Sequence, residues 1–427
     1  MIDIRLIRER ADFVKTELAK AGVDAGEIDA IAACDAERRQ LQFELDEMRA
    51  QRTRESKELG RMAPEARDAR RTEMRQLADR IAAGERRLAE IEQRLAELML
   101  GIRNIPRPYV PIGTSEADNQ IVRQEGEPAV FGFTPAPHWE LGEKLGIIDF
   151  ERGVKLSGTR FYVLSGLGVQ LERALISFML DLKTREQGYL EVRPPLMVTT
   201  ETATSTGHLP KNAEVMYHDA EDDFWFIPTA EVPLTSLYRG EILEAERLPI
   251  YLTAYTPCFR RERMSAGRDV RGIKRGHQFD KVEMVKLVRP ETSDDELQSL
   301  VENACEVCRR LEIPFRIVQL CTGDLSFASA ATYDIEMWAP GLNEWLEVSS
   351  CSNCTDFQMR RANTRYRPQK GGKTELVHAL NGSGLGLPRT LIAVMENYQQ
   401  ADGSVVIPRV LRPYMNGVEI IRSGRRL

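Results

Sequence analysis

The chain has 427 residues, of which 42% are hydrophobic and 29% charged, and its formal net charge is −6. This length suits two or three domains, and the negative charge argues against a nucleic-acid binder held by bulk positive charge. No stretch approaches the roughly 18 uninterrupted apolar residues of a membrane helix. Charges are scattered through the first twenty residues, MIDIRLIRERADFVKTELAK, which argues against a secretory signal. We therefore expect a cytoplasmic protein.

The first hundred residues predict a helix followed by a long helical hairpin. Two runs have apolar residues at alternating three- and four-residue spacing, which is typical of helices that pair along one apolar stripe. Interrupted only by Arg38, Arg52 and Gly84, these runs are Ile31, Cys34, Arg38, Leu41, Leu45, Met48 and Arg52, and then Met74, Leu77, Ile81, Gly84, Leu88, Ile91, Leu95, Leu98 and Ile102. Gly60 and Pro64 lie between the runs and can reverse the chain. We therefore predict an antiparallel coiled-coil arm, roughly 45–55 Å long at 1.5 Å per residue.

What the arm binds is not decided by this periodicity. Basic residues cluster near its tip, at Arg49, Arg52, Arg54, Lys57, Arg67, Arg70, Arg71 and Arg75. Acidic residues are interleaved with them, so an ordinary solvated helix surface is an alternative. A dimerising coiled coil without a ligand is another.

Beyond the arm we expect a linker at 104–130 and a second domain at 131–427. The linker contains Pro106, Pro108, Pro111 and Pro128, which favour extended chain over packed elements. After it, short β-rich runs at 161–166, 189–194, 223–229, 282–288 and 344–350 alternate with helical stretches at 171–185, 293–311 and 390–399. This irregular mixture predicts an α+β domain with a mostly antiparallel sheet.

Two segments of the second domain carry chemistry. The segment 256–287 is rich in Arg and Lys between Arg260 and Lys281, and fixed guanidinium groups bind phosphates bidentately. The segment 379–400 contains Gly382, Gly384 and Gly386, followed by a helix with Pro388 near its start. The glycine spacing is G-x-G-x-G, so a dinucleotide fingerprint is not indicated; the glycines let the backbone approach a ligand or a facing strand closely.

Together these segments resemble a known family. FRRER (259–263) with RGHQFDKVEM (275–284) resembles motif 2 of class II aminoacyl-tRNA synthetases, GSGLGLPRTLIAVMEN (382–397) resembles motif 3, and GYLEVRPPLMV (188–198) resembles motif 1. Within that class, SAGRDVRG, IPTAEVPL (227–234), EVSSCSNCTDFQMRR (347–361) and IPRVLRPYM (407–415) are similar to seryl-tRNA synthetases, as is the helical hairpin. The resemblance implies a class II catalytic domain at 131–427 and a tRNA-binding arm within 1–103.

The resemblance also implies roles for individual residues. Arg260 would contact the substrate carboxylate and the α-phosphate, and Arg389 the γ-phosphate of a bent ATP; these two are the expected catalytic residues. Glu262 would recognise the adenine amino group and Phe279 would stack on the ring. Glu347 and Ser350 would hold Mg²⁺, which prefers hard oxygen ligands. The full ATP set is Arg260, Arg261, Glu262, Phe279, Glu347, Val348, Ser349, Ser350 and Arg389.

Serine selection is implied for a second set of side chains. This set is Thr229, Ala230, Glu231, Arg260, Glu283, Asn381 and Ser383. A carboxylate that accepts a hydrogen bond from serine would be left unsatisfied by alanine or glycine, which is a strong means of rejection. Threonine would need steric exclusion.

The expected reaction is attack of the serine carboxylate on the ATP α-phosphorus, then transfer of the seryl group to tRNA(Ser), with tRNA(Sec) as a further acceptor. A homodimer formed through motif 1 is expected.

Two C-x-x-C pairs, Cys305/Cys308 and Cys351/Cys354, could make a zinc site, but the first pair falls in a predicted helix and zinc is not expected. The alternatives are a related ligase that loads a carrier protein and a non-catalytic RNA-binding paralogue.

Overall fold

The computed structural model describes residues 1–59, 67–263 and 271–423. They divide into a smaller unit, Ile2–Arg103, and a larger unit that contains Met1 and the residues from Asn104 onward. Gly60 and Pro64, which were predicted to reverse the hairpin, lie outside the described residues, as do Met264 and 265–270. Among the described helices, none is long and apolar enough to span a membrane.

The smaller unit is built from three helices. They are α1 (Ile4–Ala19), α2 (Ala25–Leu59) and α3 (Arg67–Gly101). Helix α1 is capped by Asp3, whose side chain accepts from the Arg5 N–H. It is tied to α2 by Arg8, whose guanidinium donates two hydrogen bonds, of 2.5 and 2.7 Å, to the nearly buried carboxylate of Asp35. Paired forks of this kind fix geometry as well as adding energy.

Helices α2 and α3 run antiparallel, as predicted. Contacts step backward along α3 as they step forward along α2, because Cys34 lies opposite Ile91 and Leu45 opposite Gly84. The predicted stripe is buried at Ile31, Cys34, Leu45, Leu77, Ile81, Leu88 and Ile91. Near the end of α3 it is Met99, and not Leu98, that is buried. Cross-helix ion pairs, such as Arg49 with Glu85 at 2.8 Å, flank the stripe.

The larger unit contains many short and several long elements. In chain order its helices are α4 (His138–Leu145), α5 (Phe150–Ser157), α6 (Leu167–Asp181), α7 (Thr200–Ser205), α8 (Glu231–Thr235), α9 (Ser293–Arg310), α10 (Phe357–Ala362) and α11 (Leu387–Asn397). The strands are β1 (Gln120–Glu125), β2 (Ile148–Asp149), β3 (Val163–Leu164), β4 (Leu190–Glu191), β5 (Met197–Val198), β6 (Trp225–Phe226), β7 (Ile242–Glu244), β8 (Ile250–Phe259), β9 (Gln278–Val288), β10 (Phe315–Gln319), β11 (Ala331–Ala339), β12 (Glu344–Asn353), β13 (Arg365–Arg367), β14 (Glu375–Leu376), β15 (His378–Gly386), β16 (Val405–Val406) and β17 (Ile420–Ile421).

Eight strands of the described chain form one sheet in the order β1-β10-β11-β12-β15-β9-β8-β4. Every pair is antiparallel except β4 with β8. Helices α6, α9 and α11 pack on one face over the main core, while α8 and α10 cover part of the other face. The prediction of an α+β domain on a mostly antiparallel sheet is confirmed.

The segment 104–130 differs from the expected linker. Strand β1 lies within it and pairs with β10 at the edge of the sheet, from Gln120 opposite Gln319 to Glu125 opposite Phe315. Upstream, the Asn104 side chain donates to the carbonyls of Ala328 and Cys354, each at 2.9 Å. Residues 104–125 are therefore extended chain that is packed as part of the larger unit, and the expectation of an unpacked linker is wrong over this part of the range.

The close approach of α2 and α3 gives a test at Gly84. A Cβ at this position would lie 2.7 Å from Cδ2 of Leu45. Helix propensity alone predicts that Gly84→Leu stabilises α3 by about 1 kcal/mol, but overpacking a filled stripe costs about 1–3 kcal/mol. We expect a net loss of hairpin stability in native-state hydrogen exchange of α2 and α3.

Gly101→Leu is the matched control, because nothing lies within 4 Å of a Cβ at that position. Adding Leu45→Ala to the Gly84→Leu chain should recover part of the loss, since the two side chains compete for one space. Equal exchange rates in wild type and Gly84→Leu would contradict the proposed packing.

Candidate active site

A large cleft of about 780 Å³ opens on the face of the sheet opposite α6, α9 and α11. Strand alternation decides its lining, because side chains at i and i+2 share a face. On β9 the lining residues are Phe279, Lys281 and Glu283, whereas Val282 and Met284 point into the main core. The cleft is therefore built on the central strands of the sheet.

Two bulges bring further residues to the same face. Between β11 and β12 the register shifts, since Ile335 pairs with Ser349 and Glu336 with Glu347. The extra residue is Val348, which packs into the main core, and as a result Glu347 and Ser350, three residues apart, both line the cleft. A similar shift at Gly384, between β15 and β9, lets Ser383 and Gly386 both reach it. Bulges commonly re-aim side chains in this way beside functional sites.

The glycines of β15 have a packing role on the other face. A Cβ at Gly382 would lie 2.7 Å from Cys351 Sγ, and one at Gly384 would lie 2.8 Å from Cε of the buried Lys183. Of the two possibilities left open by the sequence, close approach to neighbouring protein groups applies at these two positions. Their neighbours Asn381 and Ser383 carry the side chains that face the cleft.

The deepest part of the cleft holds a closed polar network. Lys281 Nζ donates to Thr229 Oγ1 at 2.8 Å and forms an ion pair with Glu283. Thr229 Oγ1 in turn donates to Glu283 at 3.1 Å. Burial raises the pKa of Glu283, while Lys281 opposes that rise. The result is a buried carboxylate that is fixed in place by two donors.

A second, half-buried carboxylate, Glu231, stands beside the first. Glu231 Oε1 accepts from Gln358 at 2.7 Å and from Asn381 at 3.2 Å. Burial raises the pKa of Glu231. His208 also lines this part of the cleft; burial, and then Arg260, lower its pKa to about 4. A neutral imidazole, two carboxylates and an amide together form a small polar pocket.

The outer part of the cleft is cationic. The Arg260 guanidinium lies 5.0 Å from the centre of the Phe279 ring and its Nε donates to the Pro228 carbonyl at 3.3 Å. Arg389, in the first turn of α11, donates to the Glu347 carbonyl at 2.7 Å and pairs with the Glu347 carboxylate at 3.2 Å. Lys274, Arg275 and Arg316 complete this rim. Such an array suits a polyanion with a flat ring attached.

Hard oxygen ligands collect next to this rim. Glu347, Ser350, Asp334 and Glu336 line adjoining positions of β11 and β12. Asp334 Oδ1 is buried, and no donor among the described residues reaches it. Burial, and then the neighbouring Glu347, hold the pKa of Asp334 well above its usual range. An orphaned carboxylate oxygen beside a second carboxylate fits a cation, although no group of three His, Cys, Asp or Glu residues in the described chain could hold a metal by itself.

Comparison with known proteins identifies the family. Residues 1–106 match the seryl-tRNA synthetase N-terminal domain, and residues 214–398 match the tRNA synthetase class II core domain of the G, H, P, S and T enzymes. The serine--tRNA ligase of Roseiflexus sp. (strain RS-1) is 60% identical over 423 residues, covering 99% of this chain and 100% of that one. This chain belongs to the seryl-tRNA synthetase family.

Solved structures of the family have the same fold. A seryl-tRNA synthetase from Pyrococcus horikoshii, complexed with ATP, superposes with a TM-score of 0.94 at 36% identity over 100% of both chains. A cytoplasmic serine-tRNA ligase from Naegleria fowleri, in complex with AMP, gives a TM-score of 0.88 at 29% identity, over 100% of this chain and 99% of that one. The resemblance stated from the sequence is confirmed, and the chain is a class II aminoacyl-tRNA synthetase.

Most side chains that the family resemblance assigned lie in the cleft. They are Thr229, Glu231, Arg260, Glu262, Phe279, Glu283, Glu347, Val348, Ser350, Asn381, Ser383 and Arg389. Three assigned residues do not line it. Ala230 is buried in the core under α8 and α10, Ser349 points to the opposite face and donates to the Ser383 carbonyl at 2.6 Å, and Arg261 donates to the Met216 carbonyl at 2.8 Å.

Several lining residues were missed. Thr332, Asp334 and Glu336 occupy alternate positions of β11, and Arg316 lies on the adjacent β10. Polar residues at every second position between Tyr333, Ile335 and Met337 are a signal that the sequence offers, because a strand with one polar face needs a polar environment. The cysteines of the two C-x-x-C pairs are buried free thiols.

Another pair of neighbouring carboxylates, Glu172 and Asp280, lies outside the lining of the cleft. Asp280 follows Phe279 and accepts from Tyr255 Oη at 3.1 Å. Glu172, on α6, is near it: burial, and then the Asp280 charge, raise the pKa of Glu172 to about 7. Because the two carboxylates are close together and partly buried, the negative charge of one favours the protonated state of the other.

This pair predicts a pH dependence of stability. The pKa of Glu172 is raised in the folded chain, so its contribution is complete below the ordinary value of 4.5 and is lost as the pH rises towards about 7. Glu172→Gln should abolish that contribution and flatten the fall in unfolding free energy between pH 5 and 7.5, by at most about 1.4 kcal/mol per pH unit. Denaturant titrations at both pH values measure it. Glu151→Gln, an exposed carboxylate, is the control; equal slopes in all three proteins would refute the assignment.

Proposed function

We propose that this enzyme activates serine with ATP and transfers the seryl group to tRNA(Ser). The observation that carries the proposal is the convergence of Arg260, Glu283 and Arg389, which are far apart in sequence, on one cleft in a chain that belongs to the seryl-tRNA synthetases. In the first step the serine carboxylate oxygen attacks the α-phosphorus and pyrophosphate leaves. In the second step a terminal ribose hydroxyl of the tRNA attacks the adenylate carbonyl and AMP leaves.

The side chains act by positioning and charge stabilisation. Serine carboxylate and triphosphate repel each other, and Arg260, between the deep pocket and the rim, can hold both with a planar fork of donors. Arg389 can bind the outer phosphate and so keep the chain of phosphates bent. Phe279 offers a ring face for adenine and Glu262 an acceptor for its amino group. No side chain is needed as a covalent nucleophile.

Glu347 and Ser350 would hold the Mg²⁺ that the family implies, and Asp334 would offer a further oxygen. These oxygens are the hard type that magnesium prefers. Bound Mg²⁺ supplies neutralisation of charge on the phosphates. The protein's own part is to hold the ligands on two adjacent strands.

Serine selection follows from the deep pocket. Glu283, held by Thr229 and Lys281, can accept a hydrogen bond from the serine hydroxyl, and Glu231 can accept from the ammonium group. Alanine or glycine would leave one acceptor position of the buried Glu283 carboxylate unpaired, which costs about 1–3 kcal/mol. Asn381 and Ser383 close the pocket from β15.

We further propose that the hairpin of α2 and α3 is the tRNA-binding arm, that residues from Asn104 onward form the catalytic domain, and that tRNA(Sec) is also charged. The enzyme would act in the cytoplasm as a dimer formed through 188–198. Sedimentation at micromolar concentration tests the dimer, and a monomeric mass would contradict it.

Pyrophosphate exchange with each of the twenty amino acids tests the substrate. We expect exchange with serine only. Arg260→Ala should reduce it by at least about a hundredfold, and Arg152→Ala, which removes a surface arginine paired with Asp149, should not. Exchange with no amino acid would favour the non-catalytic alternative; exchange without tRNA charging would favour a carrier-protein ligase.

A shortened arm separates activation from tRNA binding. The ion pair between Glu37 and Arg87, at 2.9 Å, bridges α2 and α3 at matched height. Replacing 40–84 with a short Gly-Ser link should therefore preserve the base of the hairpin, including the Arg8–Asp35 pair. We expect unchanged serine-dependent exchange and a loss of serylation of about a hundredfold or more. Full charging by the shortened chain would refute the role of the arm.

A further inference from the structure

A fully buried histidine–glutamate pair lies outside the groups that would contact substrate. Glu396 is near the end of α11, and His138 is the first residue of α4. Glu396 Oε1 accepts from the backbone N–H of His138 at 2.8 Å and faces its Nδ1 at 3.0 Å. The other oxygen, Oε2, accepts from the N–H groups of Gly341 and Leu342 at 2.9 and 3.1 Å. The carboxylate is thus surrounded by donors.

The proton positions on His138 follow from its second contact. The backbone N–H of Ile273 lies 3.1 Å from His138 Nε2. A backbone amide can only donate, so Nε2 is the acceptor and carries no proton. The proton therefore sits on Nδ1 and is donated to Glu396. His138 connects two elements, with one nitrogen for each.

Ile273, whose N–H bonds to Nε2, belongs to the segment 271–276, which leads into strand β9. Gly272, with φ of +81°, passes so close that a Cβ would lie 2.1 Å from Nε2. The Arg271 guanidinium lies 5.0 Å from the centre of the Trp139 ring. Arg271, Gly272 and Ile273 thus pack against the side chains of His138 and Trp139.

The residues directly after Ile273 reach the cleft. Lys274 and Arg275 both line its cationic rim, where Lys274 pairs with Glu344 at 2.7 Å and Arg275 lies 3.9 Å from Glu262. Glu396 shares α11 with Arg389, seven residues earlier, which is about 10 Å along the helix. The buried His138 side chain therefore joins the segment 271–276 to α11, the helix that carries Arg389.

We infer that His138 is a positioning residue for ATP, a role that rests on the proposed adenylation. Its two nitrogens fix the distance between Arg275 and Lys274 on one side of the cleft and Arg389 on the other. Loss of the Ile273 hydrogen bond removes a contact that fixes the segment 271–276, and it changes no residue of the proposed serine pocket. The effect should therefore fall on ATP binding, and not on serine.

The test uses two substitutions that divide the roles of the ring. His138→Asn keeps a donor near the position of Nδ1 and removes the acceptor for Ile273; His138→Gln can place an acceptor near the position of Nε2. In serine-dependent pyrophosphate exchange by the full chain, His138→Asn should raise the KM for ATP about tenfold. The KM for serine should change by less than about twofold, and His138→Gln should recover most of the loss. His378→Asn, which removes a histidine bonded to Ser293 at 2.9 Å, is the control and should leave the KM for ATP unchanged.

An unchanged KM for ATP in His138→Asn would overturn the inference. So would equal losses in His138→Asn and His378→Asn, or parallel changes in kcat and both KM values, since these indicate general destabilisation. If His138→Asn does not fold, amide exchange in the wild-type chain decides: the Ile273 N–H should exchange at least about tenfold more slowly than that of Arg271, and equal rates reject the contact. Absence of serine-dependent exchange in the wild type would refute the proposed function instead, while leaving the amide measurement valid.

Discussion

The active cleft depends on one constraint, the two-residue alternation of side chains along strands β9, β12 and β15. A central sheet must bury one face under helices, so the apolar half of each strand is committed to α6, α9 and α11. The other half is free to be polar, and in β9 it supplies a ring, a cation and a carboxylate in sequence at Phe279, Lys281 and Glu283. The bulges at Val348 and Gly384 then adjust the register where alternation alone would turn a needed side chain away.

Much of this arrangement was predictable because its chemistry is written in short local patterns. The basic segment before β9, the glycine-rich segment before α11 and the heptad runs each constrain structure within a few residues. The π-helix from Leu182 to Glu186 that extends α6, and the two-residue strands at Val163–Leu164 and Leu190–Glu191, were expected only as a longer helix and longer strands. Their lengths are set by tertiary partners, which local propensity does not contain.

The features that were not predicted depend on long-range pairing. Strand β1 carries mostly exposed residues and is a strand because β10, 190 to 199 positions later, offers a free edge. Asp334 and Glu336 have no motif around them and gain meaning only when β11 lies beside β12. Similarly, Ser349 sits in the matched motif between two cleft residues, yet pairing with β11 turns it to the far face, towards the Ser383 carbonyl.

The ion pairs of the cleft are buried at its floor and partly exposed at its rim. The cost of separating a pair therefore differs between the two ends. Lys281 and Glu283 are buried, with the Glu283 side chain only 2% exposed; removing either partner would strand a charge at a cost of about 3–5 kcal/mol. The Glu347 side chain that pairs with Arg389 is 47% exposed, and pairs of that kind contribute at most about 1 kcal/mol. In the proposed mechanism, exchanging Glu347 for a phosphate at Arg389 would therefore be inexpensive, whereas the pocket proposed for serine could not rearrange without destabilising the fold. Selectivity for a small amino acid needs a rigid pocket, and repeated binding of ATP and release of pyrophosphate need partners that separate easily. The graded burial of these pairs meets both requirements on one sheet.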